Sequence, residues 1–218
     1  MSYLRFLIEN RLFLLAGFLL TFTSSFGQTY FIALFAGEIK DDFGLSDGQW
    51  GGLYTLATTL SAITMVWAGA LTDRFRVRQL SLVVMVLLAL ACVSMALVSN
   101  IVLLVLVIYA LRITGQGMLS QLGAVAMSRW FIATRGRALS LSSMGFAAGQ
   151  AILPISFVAL LVTWDWRILW LLAAGCIVLL IPVMQTLLRF ERTPQSISKE
   201  TQALGMSGIH WTRAQMLR

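Results

Sequence analysis

Six long apolar stretches constrain this sequence more than any other feature. A helix needs about 20 mostly apolar residues to cross a hydrocarbon core of ~30 Å, and each stretch is long enough. Only 11% of the residues are charged, whereas a soluble domain usually has about 25%. We therefore predict an all-α membrane protein with six transmembrane helices, at residues 12–35, 50–71, 80–98, 101–127, 138–163 and 166–188.

The charged residues are distributed unevenly between the segments that connect these stretches. Arg and Lys outnumber acidic residues before the first stretch and after the second, fourth and sixth. The segment after the first stretch is acidic, with Glu38, Asp41, Asp42 and Asp47. Since basic residues mark the cytoplasmic side of a membrane protein, both termini are predicted to be cytoplasmic. The net charge of +7 then reflects topology, and the expected partner is the lipid bilayer, with no nucleic acid.

The sequence divides into two parts near residue 190. Residues 1–190 contain all six apolar stretches, and we predict that they form one transmembrane bundle. Residues 191–218 are predicted to begin with a polar cytoplasmic linker that contains Pro194, and they end in the amphipathic segment HWTRAQMLR.

Arg112 is the most informative single residue. At ~1.5 Å per residue it lies roughly 16 Å along the fourth helix from Ile101, near the centre of the bilayer. A central arginine is costly to insert, at about 2.5–3.5 kcal/mol, so it must face the bundle interior or an aqueous cavity. Helical spacing places Tyr109, Gln116 and Ser120 on the same face. Its guanidinium suits a carboxylate, although a structural arginine bonded to helix carbonyls is the alternative.

Polar residues also interrupt the first apolar stretch. Thr21, Ser24, Ser25 and Gln28 form a stripe at helical spacing, which predicts either hydrogen bonds between helices or the lining of a cavity. Tyr54 in the second stretch is a weaker candidate of the same kind. The predicted substrate-binding residues are Arg112, Gln116, Gln28, Tyr109 and Tyr54.

The fifth and sixth stretches carry features that favour packing and anchoring. Gly145 and Gly149 are four residues apart, a spacing that lets two helices approach closely. Trp166 and Trp170 open the sixth stretch, and we predict that they are interfacial anchors.

The turn GALTDRFRVR, at residues 69–78, connects the second and third helices. Asp73 lies where a helix ends, so its carboxylate meets the negative end of the helix dipole. Several arginines are close in sequence or at neighbouring helix ends. We predict that Asp73 pairs with Arg129 or Arg137.

This turn resembles the loop between helices 2 and 3 of the major facilitator superfamily of secondary transporters, whose pattern is Gly-x-x-x-Asp-Arg-x-Gly-Arg-Lys/Arg. Gly69, Asp73, Arg74 and Arg78 match, and Arg76 replaces the family's glycine. Arg112 and Gly117 resemble its fourth-helix Arg/Gly motif, which is linked to proton coupling. The resemblance implies conformational gating by Gly69, Asp73, Arg74, Arg78, Arg129 and Arg137.

The resemblance also implies an architecture. The six helices would be the N-terminal half of a twelve-helix transporter, built from two three-helix repeats, and HWTRAQMLR would approach a seventh span. The stretches FGQTYFIALFAGEI, GLYTLAT and RITGQG are similar to bacterial members of the monocarboxylate-transporter-like and oxalate/formate-antiporter-like branch. That similarity implies the bacterial inner membrane. The partner would be a C-terminal six-helix half or a second copy.

The function expected from these features is secondary active transport of a small solute, such as a monocarboxylate, by alternating access, as a symporter or an antiporter. The alternative is a non-transporting scaffold or partner subunit. An intramembrane protease is not expected, because the only histidine is His210 in the tail and serine chemistry needs a nearby base. No cofactor, metal site or catalytic residue is predicted.

Overall fold

The computed structural model describes residues 3–190. Within this range the backbone forms ten α-helices: α1 Tyr3–Ser24, α2 Thr29–Ala33, α3 Ala36–Phe43, α4 Asp47–Ala68, α5 Leu71–Arg74, α6 Val77–Ala96, α7 Ile101–Leu111, α8 Ser120–Trp130, α9 Arg135–Leu161 and α10 Trp166–Leu187. A 3-10 turn, Ser25–Gly27, follows α1, a π-helical segment, Arg112–Leu119, joins α7 to α8, and a second 3-10 turn, Leu188–Phe190, follows α10. The predicted linker at 191–218 lies outside the described residues.

These helices form six apolar spans, which confirms the predicted fold class. The spans are Leu4–Ala33, Asp47–Arg74, Val77–Ala96, Ile101–Trp130, Arg135–Leu161 and Trp166–Leu187, here called the first to the sixth span. The first and fifth spans begin earlier than hydropathy predicts. In both, the helix includes the charged residue, Arg11 or Arg137, that directly precedes the predicted apolar stretch.

Side-chain caps and one glycine fix the helix ends opposite the Asp73 turn. Ser46 accepts a hydrogen bond from the amide of Gln49, and the Gln49 side chain accepts one from the amide of Ser46, which forms a capping box at the start of α4. Asn100 caps α7 by accepting from the amide of Leu103. Gly44 ends α3 with a φ of +62°, a left-handed conformation that glycine adopts without steric cost.

The packing of the spans has a twofold pattern. The first span packs against the fifth, the fourth against the second, the third against the fourth and the sixth against the first. The first span also contacts the fourth, and the third contacts the sixth. Exchanging the first three spans with the last three leaves these pairs unchanged. The contact of the fourth span with the fifth, between α8 and α9, is an exception, since the first and second spans make no comparable contact within the described residues. The bundle therefore consists of two three-helix units of opposite orientation, an inverted repeat.

Close packing and a cluster of aromatic rings hold the first span against the fifth and sixth. A side chain at Gly145 would meet the carbonyl oxygen of Phe18, and one at Gly149 would meet Ser25, which confirms the packing role of this glycine pair. Trp170 is fully buried, with its ring 5.4 Å from that of Phe31.

The predicted interfacial anchoring of the two tryptophans is wrong. Trp166 is 6% exposed and Trp170 is 0% exposed, so both rings lie inside the bundle. The ring of Trp170 also lies 5.1 Å from that of Phe35. Position near a helix end cannot distinguish a tryptophan that faces lipid from one that faces an aromatic core.

Candidate functional site

The candidate site is built where the first and fourth spans cross, and the helix of each is irregular there. The first span breaks into the 3-10 turn Ser25–Gly27, followed by an extended Gln28 with φ −81° and ψ 154°. The fourth span widens into the π-helical segment Arg112–Leu119. Such π-helical insertions occur often at functional sites. The irregular backbone thus coincides with the polar residues that sequence patterns singled out.

Two glycines set the distance between these spans. A Cβ atom at Gly115 would lie 2.5 Å from the Cα atom of Gly27 and 2.7 Å from its nitrogen, and a Cβ atom at Gly27 would meet the carbonyl oxygen of Leu111. The backbones are therefore in direct contact. Only glycine fits at both positions, because any side chain would push the spans apart.

Each of these glycines is followed by a glutamine, at residues 27–28 and 115–116. The same dipeptide also occurs at residues 48–49 and 149–150, so each three-helix unit contains it twice. The copies at 27–28 and 115–116 meet at the crossing of antiparallel spans, which is where the axis of the inverted repeat must pass. Because the dipeptide also occurs elsewhere in both units, it does not by itself reveal the internal repeat; the structure is what brings this pair of copies together.

Arg112 begins the π-helical segment and is 7% exposed. Its Nη1 group donates a 2.8 Å hydrogen bond to the hydroxyl of Thr29 in the first span and another to the Oε1 atom of Gln116. The guanidinium carbon lies 5.7 Å from the centre of the Tyr54 ring in the second span, within cation–π range. Arg112 therefore contacts two other elements of the bundle interior rather than the carbonyls of its own helix.

Three buried polar atoms in this region have no hydrogen-bond partner among the described residues. They are Nε of Arg112, the hydroxyl of Tyr54 and the hydroxyl of Thr58, one turn along the same span. Buried polar groups are almost always satisfied in folded proteins, by protein, water or ligand. A guanidinium N–H and hydroxyl groups are donors that bind an oxyanion, and an oxyanion would supply the missing acceptors.

Only some of the other predicted binding residues lie next to Arg112. Gln116 and Tyr54 lie with Arg112, as the sequence predicts. Tyr109 instead donates a 3.0 Å hydrogen bond to the hydroxyl of Thr64, in the second span. Gln28 is buried next to the Gly27 contact, but the first-span residue that binds Arg112 is Thr29, which sequence analysis missed because a threonine in an apolar helix is commonplace.

Ser120 does not share the Arg112 face. It lines a groove of about 520 Å³ between the first, fourth and fifth spans, together with Thr21, Ala124, Leu139, Ser140, Ser142, Ser143 and Phe146. The prediction used α-helical spacing from Arg112 through Gln116 to Ser120. The π-helical segment between them has a wider turn, which rotates Ser120 away from the arginine.

At the turn of residues 69–78, the predicted pairing of Asp73 is confirmed. Arg129 donates from Nη2 to the Asp73 carboxylate at 2.6 Å and from Nη1 to the carbonyl oxygen of Thr72, also at 2.6 Å. These bonds tie the end of the second span to the end of the fourth. Gly69 lies against the same span, since its Cβ position would be 3.1 Å from the side chain of Gln121.

The remaining predicted gating residues lie elsewhere. Arg78 donates to the side chain of Gln185 at 3.2 Å, on the sixth span. Arg74 and Arg137 form no ion pair with any residue in the described range. Of the two partners proposed for Asp73, only Arg129 is in contact.

A second arginine joins the helix ends on the opposite side of the bundle. Arg167 donates from Nη2 to Asp42 at 2.6 Å and from Nη1 to the carbonyl oxygens of Ala96 and Val98, at 3.0 and 2.7 Å. Its guanidinium also stacks 4.5 Å from the ring of Trp166. Each end of the bundle, here called a mouth, thus has one arginine that binds a carboxylate and one or two backbone carbonyls of the other three-helix unit.

Comparisons with known proteins agree with this architecture. The sequence model described as Major Facilitator Superfamily matches residues 17–215. Two crystal structures of a bacterial homologue of the human lysosomal transporter Spinster have a similar fold, both inward-facing. The unoccupied one is 19% identical, with a TM-score of 0.62, and the match covers 80% of this chain and 42% of that one. The occupied one is also 19% identical, with a TM-score of 0.65, and the match covers 87% and 47%. This chain therefore spans less than half the length of these structures. No curated protein sequence matches it.

Proposed function

Because the chain belongs to the major facilitator superfamily, we propose that it supplies six helices of a secondary transporter that moves a small organic anion by alternating access. The chain is an integral membrane protein with six apolar helices. The proposed substrate is a small carboxylate such as a monocarboxylate, bound near the bilayer centre. The proposed site comprises Arg112, Gln116, Thr29 and Tyr54, with Gln28 and Tyr109 at its margins.

The observation that carries this proposal is the incomplete hydrogen bonding of Arg112. A buried arginine is costly, and its Nε has no acceptor; the hydroxyls of Tyr54, whose ring the guanidinium faces, and of Thr58, one turn along the same span, also have no partner among the described residues. None of the four ion pairs among the described residues involves Arg112. A carboxylate at this position would accept from Nε and from the hydroxyls of Tyr54 and Thr58, and would neutralise the guanidinium charge.

The Asp73–Arg129 contact supports a role for the turn in gating. It joins the two three-helix units at one mouth, and Gly69 lets the fourth span approach closely. We propose that Gly69, Asp73, Arg74, Arg78, Arg129 and Arg137 bias the opening of this mouth, which faces the cytoplasm in the topology proposed from loop charges. A bacterial inner membrane is the proposed location.

The low burial of the second and fifth spans supports a partner. Only 17% of the residues in the apolar window of the second span and 22% in that of the fifth are buried, compared with 56% for the third span. Both expose large apolar residues, including Leu56, Ile63, Trp67, Ile152 and Ile155. We propose that a second six-helix half, or a second copy of this chain, packs against these spans.

The test measures uptake of labelled monocarboxylates and dicarboxylates by membrane vesicles. The vesicles are prepared from cells that express the chain from its natural coding sequence. Arg112→Gln should reduce uptake by about 10- to 150-fold, equivalent to ~1.5–3 kcal/mol for hydrogen bonds to a charged group. Arg112→Lys should recover part of it, since lysine keeps the charge but loses the planar fork. Arg135→Gln, which removes an exposed arginine, is the matched control.

Two further outcomes separate the alternatives. If Arg112→Gln retains exchange of labelled for unlabelled substrate but loses uptake against a gradient, Arg112 serves coupling rather than binding. If the parent chain transports no carboxylate although it is stable in the membrane, the anion proposal fails. The scaffold or partner-subunit role then takes its place.

A further inference from the structure

A basic groove lies between the third and sixth spans, at the end of the bundle that carries the Asp73 turn. Its volume is about 330 Å³, and it is lined by Arg76, Arg78, Gln79, Leu82, Gln185, Leu188 and Arg189. Arginine and glutamine predominate, and none of the described lining residues is acidic. The groove therefore carries concentrated positive charge and hydrogen-bond donors, which is the chemistry that binds phosphate.

Two reciprocal hydrogen bonds join the third and sixth spans along the groove. Arg78 donates from Nε to the side-chain oxygen of Gln185 at 3.2 Å, and the Gln185 amide donates to the carbonyl oxygen of Arg78 at 3.1 Å. Arg76 precedes the first turn of the 20-residue helix Val77–Ala96, whose dipole adds a partial positive charge at this end. The arginines thus line the groove close to the N-terminus of this helix.

The groove continues into an apolar surface along the third span. Leu82, Val86 and Leu90 follow Arg78 at four-residue intervals, so they lie on one helix face. They are 38%, 40% and 56% exposed. A soluble anion would make no use of this strip, whereas the acyl chains of a lipid whose headgroup occupies the groove would lie along it.

We propose that this basic groove binds the phosphate headgroup of an anionic phospholipid, whose acyl chains cover the strip Leu82–Val86–Leu90. Basic pockets between transmembrane helices on the cytoplasmic side of a membrane recognise anionic headgroups. The bound lipid bridges the start of the third span and the end of the sixth. This site is separate from the proposed solute site at Arg112, and its test does not depend on transport.

The experiment counts lipids retained by the purified chain in native mass spectrometry, after addition of phosphatidylglycerol or of phosphatidylcholine. The parent should retain phosphatidylglycerol in preference to phosphatidylcholine. The double variant Arg76→Gln/Arg189→Gln should lose at least tenfold in phosphatidylglycerol affinity. The control Arg135→Gln/Arg137→Gln, which removes the same charge from another connecting segment, should bind as the parent does.

Three results would overturn the proposal. One is equal retention of the two lipids by the parent, and another is an equal loss in both double variants, which would mean nonspecific attraction to net charge. The third is displacement of phosphatidylglycerol by an equimolar amount of glycerol 3-phosphate, which would mean a soluble-anion site. If the double variant does not fold, Gln79→Glu places a negative charge in the groove, and it should weaken phosphatidylglycerol binding several-fold. Unchanged binding in that variant would also refute the site.

Discussion

The contact between Gly27 and Gly115 makes a sharp prediction about stability. In Gly115→Ala, the new Cβ atom would lie 2.5 Å from the Cα atom of Gly27. Nonbonded carbon atoms rest at ~3.5–4.0 Å, so the two spans must separate by about 1 Å. The obstructing atoms belong to the backbone and cannot rotate away as a side chain would.

The expected cost follows from overpacking a close helix contact, about 1–3 kcal/mol. For a chain of this length, 1 kcal/mol corresponds to a shift of ~2–4 °C in the unfolding midpoint. Gly115→Ala should therefore unfold about 2–12 °C below the parent, measured by circular dichroism during heating in detergent.

The matched control is Gly175→Ala, in the sixth span. No heavy atom lies within 4 Å of the Cβ position there, and alanine is favoured over glycine inside a helix by ~0.5–1 kcal/mol. The control should therefore unfold at the parent midpoint or above it. A Gly115→Ala midpoint equal to that of the control would mean that the crossing is not close-packed.

Three other predictions concern the mouths of the bundle. Asp73→Asn should change the free energy of unfolding by less than about 1 kcal/mol, because the carboxylate is exposed. It should nevertheless raise the rate at which a maleimide labels a cysteine introduced at Gln121, and an unchanged labelling rate would contradict the gating role. In a chain without its own two cysteines, Asp41→Cys should react with an impermeant maleimide from outside the cell and Arg135→Cys only after permeabilisation, and the reverse order would invert the proposed topology. Arg167→Gln removes charged hydrogen bonds to two backbone carbonyls and should lower stability by about 1.5–3 kcal/mol, seen as a lower midpoint than that of Arg135→Gln.

The global features of the fold could be predicted because they follow from bulk properties. Hydrophobic length fixes the number of spans, since a helix must satisfy its backbone inside lipid. Electrostatics limited the partner of Asp73 to Arg129 or Arg137, because an acid at a helix end needs a nearby cation, and the structure identifies Arg129. These arguments need only sequence distance and charge.

The details of the candidate site depend on geometry that the sequence does not state. The π-helical segment changes the angular step between residues, so an α-helical stripe from Arg112 places Ser120 on the wrong face. The contacts that Thr29, Tyr109 and Trp170 make depend on which span lies opposite each residue. Periodicity assigns a face to a residue but cannot identify the neighbour that this face meets.

The crossing at Gly27 and Gly115 has a mechanical consequence for the two arginine contacts. A point of backbone contact on the axis between two three-helix units is a fulcrum for any tilt of one unit against the other, and the side chains packed between the first span and the fifth and sixth limit how far such a tilt can go. Arg129 and Asp73 belong to different units and lie at one mouth, and Arg167 and Asp42 do the same at the other. A tilt about the fulcrum would lengthen the arginine–carboxylate distance at one mouth and shorten it at the other. The same motion would therefore weaken one contact while it strengthens the other.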